Sequence, residues 1–465
     1  MKIPCIERVS WIVSGLAFLQ SAMTSIQFYN LTLVASALIL GIRFRLTDIS
    51  LSWIKEKGIS TLSYFFSDAK YSIQEMQKLY AIQVLSLYKI QEGGYFLIDD
   101  TLEHHSRFSR WIHGVCCLYD HVLKTNLKAV CIVFLYFTDG GWIRFPINLR
   151  IFYKEEGSGM PWEKGQPRAH KTKNALALEM IEQALGWGFP KSTVLADSWF
   201  CVSPFIQGLD ALELPYVLEM KSSYQIKVPC VSPNLTPKGR LAKKQFDLFS
   251  PEKFFANISS SQACGLEWDE NTGKAAKVLY HTKIATVEFN AFAGKFRVVQ
   301  SINPVAGTTK YFLSNQLHWD AVKILWSYSH RWMIEEFFRN AKQLCDLEGA
   351  SLRSEQGVTL SLYLVSWIDF LLHHQNYKNV SEKLTKESLS IPSIIRIAQA
   401  QNAEAFIQHI QQDAAFSQRW IASIKEKILR PQKSRKPLVA LPSAETLSLP
   451  VPTAIQHEQK RSLEG

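Results

Sequence analysis

Apolar positions recur with helical spacing through residues 1–90, and no strand-like alternation interrupts them. The stretch WIVSGLAFLQSAMTSIQFYNLTLVASALILG over 11–41 is very apolar, yet Gln20, Ser25, Gln27, Asn30 and Thr32 fall inside it. A membrane-spanning helix needs about 18 or more nearly continuous apolar residues, so two shorter buried helices are expected here. A signal peptide's basic segment, short apolar segment and small-residue cleavage site do not follow one another. LTDISLSWI and ISTLSYFFSDA predict two further helices around the turn KEKG. With Arg43, Arg45, Lys55 and Lys57 beside them, they have the form of a helix-turn-helix. Residues 1–90 are therefore expected to be an N-terminal helical DNA-binding domain.

The periodicity changes at residue 93. GGYFLIDD is a short apolar run ended by acids, which predicts a buried strand. AVCIVFLYF (129–137) and WIRFPINLRIFYK (142–154) flank Asp139-Gly140-Gly141, a hairpin signal. KNALALEMIEQALGWGF (173–189) has helical spacing, and STVLAD (192–197) is another apolar strand ended by an acid. An α/β core is expected over 91–210. From 211 to 316 the runs YVLEMKSSYQIKV, KVLYHTKIATVEFNAF, KFRVVQSI and KYFLSN predict a β-rich insertion. Helices return over 317–428 as the second part of the core. The tail 429–465 is basic and rich in Pro and Ser, and is expected to be disordered apart from any phosphate contact by its KSRK. No repeat of 20–50 residues is visible.

Composition narrows the partners. The 465 residues are 47 % hydrophobic and 20 % charged, which excludes a disordered chain, a collagen-like fibre and a disulfide-stapled miniprotein. Lys plus Arg outnumber Asp plus Glu by 52 to 41, giving +11, so a polyanion is the first partner to consider. The eight cysteines form no zinc-like spacing, and several lie in apolar runs such as GVCCLYD. They are expected to be reduced, buried thiols of a cytosolic protein.

Three places carry candidate chemistry. LIDDT ends one strand with Asp99 and Asp100, and LADSW ends another with Asp197. A carboxylate fixed by a buried strand suits a hard cation such as Mg²⁺, which takes oxygen ligands. The third place is SYSHRWMIEEFFRNAKQL (327–344). At about 100° per residue, Tyr328, Arg331, Glu335 and Lys342 fall on one stripe about 60° wide. Met333, Phe337, Ala341 and Leu344 cluster on the opposite, core-facing side. The stripe runs for about 21 Å and offers one carboxylate and three phosphate-binding groups. Three such acids on a basic chain match phosphodiester cleavage, where shared carboxylates hold two metal ions.

At this point the sequence resembles the DDE transposases of bacterial insertion sequences, in the group with a Tyr-x2-Arg-x3-Glu-x6-Lys signature. Tyr328, Arg331, Glu335 and Lys342 match that spacing without a gap, IDDT matches the first-aspartate strand and VLADSWF the second. YDHVLKT, the hairpin, the TKNALALEMIEQAL helix and LSYFFSDAKYS also look like this group, so the resemblance spans roughly 25–375. It implies an α/β fold with an RNase H-like mixed-sheet catalytic core, and a β-rich insertion between the second aspartate and the glutamate. It implies cut-and-paste transposition: Asp99, Asp197 and Glu335 bind two Mg²⁺, with Mn²⁺ as a substitute, and water nicks each transposon end. The freed 3′-OH then attacks the other strand and later the target. Tyr328, Arg331 and Lys342 would grip phosphates. The partners implied are double-stranded DNA, both terminal inverted repeats and target, and a second copy of the chain in a synaptic complex. The expected location is the bacterial cytoplasm, at the nucleoid, without a membrane. The alternative is a catalytically silent or domesticated relative that only binds DNA.

Several residues stay open. The resemblance favours Asp99 over Asp100 as ligand, and adjacent strand residues point to opposite faces. Signature spacing and stripe angle favour Glu335 over Glu336, which falls about 80° away. Trp268, in the insertion, is a candidate for stacking on a flipped base, with Trp319 and Trp326 just after the block. His104 and His105 are expected in a loop after the first aspartate. Arg353 and Lys383 are possible DNA contacts.

Overall fold

The computed structural model describes residues 3–54, 58–106, 109, 111–120, 123–154, 170–230, 246–269, 274–304, 306–350, 352–382, 389–413, 415, 417, 418 and 421, without the side chains of 264–278. Lys55, Lys57, Lys383, the side chain of Trp268 and the tail 429–465 thus lie outside the described residues. The chain divides into two compact units, Met1–Phe406 and Ile407–Gly465.

The first unit begins with helices. These are α1 (Ser10–Gly15), a 3-10 turn (Ala17–Ala22), α2 (Ser25–Ile39), α3 (Leu46–Ser52), α4 (Ile59–Ser67) and α5 (Ile73–Tyr88). Thr24 and Gln27 close a capping box that starts α2. Buried Thr32 of this stretch donates to the Phe28 carbonyl and accepts from Arg8 at 2.8 Å. No helix among the described residues is long and apolar enough to cross a membrane.

Then come β1 (Tyr95–His105), β2 (Cys116–Asp120), β3 (Thr125–Thr138), β4 (Arg144–Phe152), α6 (Lys173–Gly186), β5 (Thr193–Ala196), α7 (Ser203–Ala211) and β6 (Tyr216–Met220). They are followed by β7 (Ile226–Pro229), β8 (Phe246–Phe249), α8 (Pro251–Ala256), β9 (Ser261–Asp269), β10 (Lys274–Phe289), β11 (Lys295–Ile302) and β12 (Thr309–Ser314). The last helices are α9 (Ala321–Ser329), α10 (Trp332–Gln343), α11 (Glu355–Ser381) and α12 (Ile391–Gln412).

Among the described residues twelve strands join one mixed sheet, in the order β2-β3-β1-β5-β6-β12-β11-β10-β7-β8, with β4 on β3 and β9 on β10. Within it β4, β3 and β1 are antiparallel, and β5 and β6 run parallel to β1. This arrangement is consistent with an RNase H-like core. The β-rich block is continuous with that core, because its first strand, β6, pairs in parallel with β5.

The first strand is longer than its apolar run. β1 does not stop at its acids but continues to His105, paired with β3 throughout. His104 and His105 are therefore strand residues, not loop residues. The parallel neighbour β5 pairs only with Tyr95–Ile98. The acids thus sit where the parallel ladder ends, which is why the apolar run ends there. β2 is a strand that its Cys-Cys run did not announce, and it leaves Cys117 exposed.

The hairpin between β3 and β4 turns at Gly140, whose φ of +83° favours glycine. Asp139 Oδ1 accepts from the Gly141 and Ile143 amides, closing the turn. On the helical side α11 is buried around its whole circumference from Gly357 to His373. It packs against β4, α10 and the N-terminal helices α1, α2, α4 and α5, so helices and sheet share one hydrophobic core.

Candidate active site

Pairing register decides which acid faces which helix. Asp99 lies opposite Phe134, and Asp100 opposite Val133. Directly opposed residues share a face of the sheet. Phe134 packs on Phe337 of α10, with ring centroids 5.1 Å apart, so Asp99 faces α10. Asp100 faces the other way, where its Oδ2 accepts from Lys173 Nζ of α6 at 2.8 Å and lies 3.5 Å from Cys131 Sγ.

The signature stretch is two helices, not one. At His330 and Arg331 the backbone bonds run three residues back, His330 to Ser327 and Arg331 to Tyr328. The cause is the His330 imidazole, whose Nδ1 is 2.9 Å from the Trp326 carbonyl, the acceptor an unbroken helix would use. The same ring stacks on Tyr95 of β1, with centroids 4.5 Å apart and planes 12° from parallel. The hairpin turn comes close as well: a side chain at Gly140 would meet both rings at 3.1 Å. Arg331 thus sits at the head of α10, on a junction clamped to β1. Phe337 and Ala341 are buried as expected, together with Ile334, whereas Met333 and Leu344 are only partly covered.

The structure brings Asp99, Arg331 and Glu335 together. Arg331 Nη1 donates to Asp99 Oδ2 at 2.7 Å, and Nη2 donates to Glu335 Oε1. Glu336 points elsewhere and pairs with Arg144 at 2.7 Å. Asp197 follows the last residue of β5, and its Oδ1 accepts from the Trp199 amide at 3.0 Å.

The electrostatics tie Asp197 to the group. Burial pushes the Asp99 carboxyl up to about 7; Arg331 opposes the shift, and the Asp197 and Asp100 charges add to it. Burial also raises Asp197, against Arg331 and the amides of Trp199 and Phe200. Glu335 is raised by burial too, against Arg331 and Lys310.

The other signature residues are engaged separately. Tyr328 donates to Glu219 Oε2 of β6 at 3.0 Å, and Lys310 of β12 pairs with the same carboxylate at 3.2 Å. Lys342 Nζ donates to the Leu102 carbonyl at 2.8 Å and pairs with Glu348 at 3.2 Å. His104 bridges Asp120 at 2.8 Å and Glu348 at 3.4 Å. Lys173, Lys310 and Glu219 were not singled out from sequence. Only Lys173 left a signal there: a cation at the first position of a helix opposes the helix dipole and needs a local acid.

Among the described residues no group of three or more His, Cys, Asp and Glu side chains stands ready to hold a metal. The donor set nevertheless fits a hard divalent cation. Three carboxylates are held above their usual range by burial, and a guanidinium neutralises two of them. A cation already sits where the acids demand one.

Two family models match parts of the chain. A family model described as DDE superfamily endonuclease matches residues 31–262, which include Asp99 and Asp197. A second, described as transposase DDE domain, matches residues 165–368, which include Asp197 and Glu335. The two matches support a DDE transposase, a nuclease-type enzyme, and imply DNA binding. No curated protein matches the chain.

Proposed function

We propose that this chain is a cut-and-paste DNA transposase of a bacterial insertion sequence, with Asp99, Asp197 and Glu335 as its acids. The observation that carries the reading is the meeting of Asp99 and Glu335, from opposite ends of the core, on one guanidinium beside Asp197. Two Mg²⁺ held by these carboxylates would supply an activated water or 3′-hydroxyl and stabilise the leaving oxygen.

The chain's own groups do the rest. Asp99 is chosen over Asp100 because it shares the α10 face with Glu335, while Lys173 holds Asp100 on the other face. Arg331, once released from the acids, is placed to bind non-bridging oxygens of the phosphate being cut. Tyr328 and Lys342 flank that point along α9 and α10. Leu102, the Lys342 partner, lies three residues beyond Asp99, about 10 Å along β1, so a DNA backbone would run along that strand. The N-terminal helices, with Arg43 and Arg45, would bind the terminal repeats, and a second copy of the chain would hold the other end. Such a protein would act at the nucleoid.

The test is strand transfer. DNA bearing the gene's own flanking ends, Mg²⁺ and a supercoiled plasmid are incubated with the protein. Joined product is expected. Cut ends that never join would reduce the protein to a nuclease, and binding without cutting would make it a silent relative.

A further inference from the structure

The register of three parallel strands puts a fourth carboxylate in line with the acids. Ile98 of β1 pairs with Ala196 of β5, and Ala196 with Leu218 of β6. One residue further along the chain from each stand Asp99, Asp197 and Glu219. Glu219 lies on the helical face of the sheet, as Asp99 does. Phe312 of β12, directly opposite Glu219, packs beside the Tyr328 ring, with centroids 4.5 Å apart. Carboxylates so arranged repel one another unless they are neutralised. Lys310 pairs with Glu219 at 3.2 Å, and the same ammonium opposes the upward shift of Glu335.

Glu219 also decides what Tyr328 can do. A phenol has one proton to donate. Tyr328 donates it to Glu219 Oε2 at 3.0 Å, and burial raises the hydroxyl well above its usual range, so the proton stays in place. While that bond stands, the hydroxyl cannot donate to a phosphate as well. What Tyr328 presents to the site is its ring, with the Arg331 guanidinium 5.9 Å from the centroid. We propose that Glu219 is a positioning residue of the site: through the Tyr328 hydroxyl it fixes the ring that supports Arg331, and so sets where the guanidinium meets the phosphate. Tyr328 then acts through its ring and not by gripping DNA with its hydroxyl. This rests on the reading of Asp99, Asp197 and Glu335 as the place where the phosphate is held and cut.

The test is a double-variant cycle of Glu219→Ala and Tyr328→Phe on double-stranded DNA bearing the gene's own flanking ends. Affinity is measured with Ca²⁺, and the single-turnover nicking rate at saturating DNA with Mg²⁺. Each single variant is expected to lower the nicking rate about 10–100-fold and the affinity about tenfold. The double variant should fall no further than the worse single. Glu219→Gln, which keeps an acceptor for the hydroxyl, should recover most of both losses. Mn²⁺ should raise the melting temperature of Glu219→Ala as much as that of wild type, which also shows the variant to be folded. Losses that multiply in the double variant would overturn the proposal, because hydroxyl and carboxylate would then act separately. A Mn²⁺ gain that disappears in Glu219→Ala would make Glu219 a metal ligand and overturn it too. Wild type that binds without cutting, with coupled losses of affinity in the variants, would sink only the reading of the acids as the place of cutting. Wild-type cutting rates in both single variants would sink only this one.

Discussion

Arg331 and Asp99 form an ion pair at 2.7 Å, and the other arm of the same guanidinium reaches Glu335. One side chain therefore neutralises acids from a central strand and from a helix that follows the whole β-rich block. If the acids take up divalent metal, the guanidinium and the metal compete for them. Arg331→Ala should lower the melting temperature in EDTA, by about 1–3 kcal/mol of stability given the partial exposure of the pair. Mn²⁺ should then raise the melting temperature more in the variant than in wild type. Equal gains in a calorimetric scan would mean that arginine and metal use different places.

The two neighbouring aspartates should separate in activity. Asp99→Asn is expected to reduce Mg²⁺-dependent nicking by about 10³ or more, the scale of losing a group that stabilises charge in the transition state. Asp100→Asn should cost about 10–100-fold, since it disturbs only the Lys173 side of the strand. Single-turnover nicking rates decide it, and the reverse order would assign the ligand to Asp100.

Folding stability should carry a pH signature from buried acids away from the site. Burial pushes Asp369 of α11 up to about 8 from an ordinary 3.8, with Arg144 opposing and Glu336 adding. Between those values the folded chain holds a proton that the unfolded chain has released. The contribution is therefore fully present below about pH 4 and is lost as pH rises to about 8, by up to about 1.4 kcal/mol per pH unit. Asp369→Asn keeps the acceptor for the Tyr136 hydroxyl and removes the titration. Its stability relative to wild type should rise steadily from about pH 5 to about pH 8. Urea melts at several pH values measure this, and a constant difference would contradict the burial argument.

The Tyr95–His330 stack should matter beyond its area. His330→Ala removes the ring that takes the Trp326 carbonyl and clamps the head of α10. A loss of about 1–2 kcal/mol in a denaturant melt is expected, the sum of one aromatic pair and one hydrogen bond. Nicking should fall as well, because Arg331 and Glu335 lose their support. Unchanged nicking would show that the junction tolerates movement.

Much of this arrangement was legible in the chain and some of it was not. Apolar runs ending in acid marked β1 and β5, because a buried strand is apolar until it reaches the sheet's end. Asp99 and Asp100 on opposite faces followed from the strand's period of two. The common side of Arg331 and Glu335 followed from helical spacing. The break at His330 was illegible, since the ring that takes the Trp326 carbonyl also stacks on Tyr95, far away in sequence. The pairing of Glu336 with Arg144 was hidden for the same reason. β1 outran its apolar run because β3 continues to pair with it after β5 stops, and single-strand periodicity carries no record of a partner.

The central claim is that Asp99, Asp197 and Glu335 act together on DNA. The most direct test is a cleavage assay on DNA carrying the gene's own flanking ends, with Mg²⁺, Ca²⁺ or EDTA, for wild type beside Glu335→Ala. The account predicts nicking at the ends with Mg²⁺ alone, lost in Glu335→Ala while the variant still binds the ends. Nicking that persists in Glu335→Ala, or end binding with no cut in any metal, would contradict it.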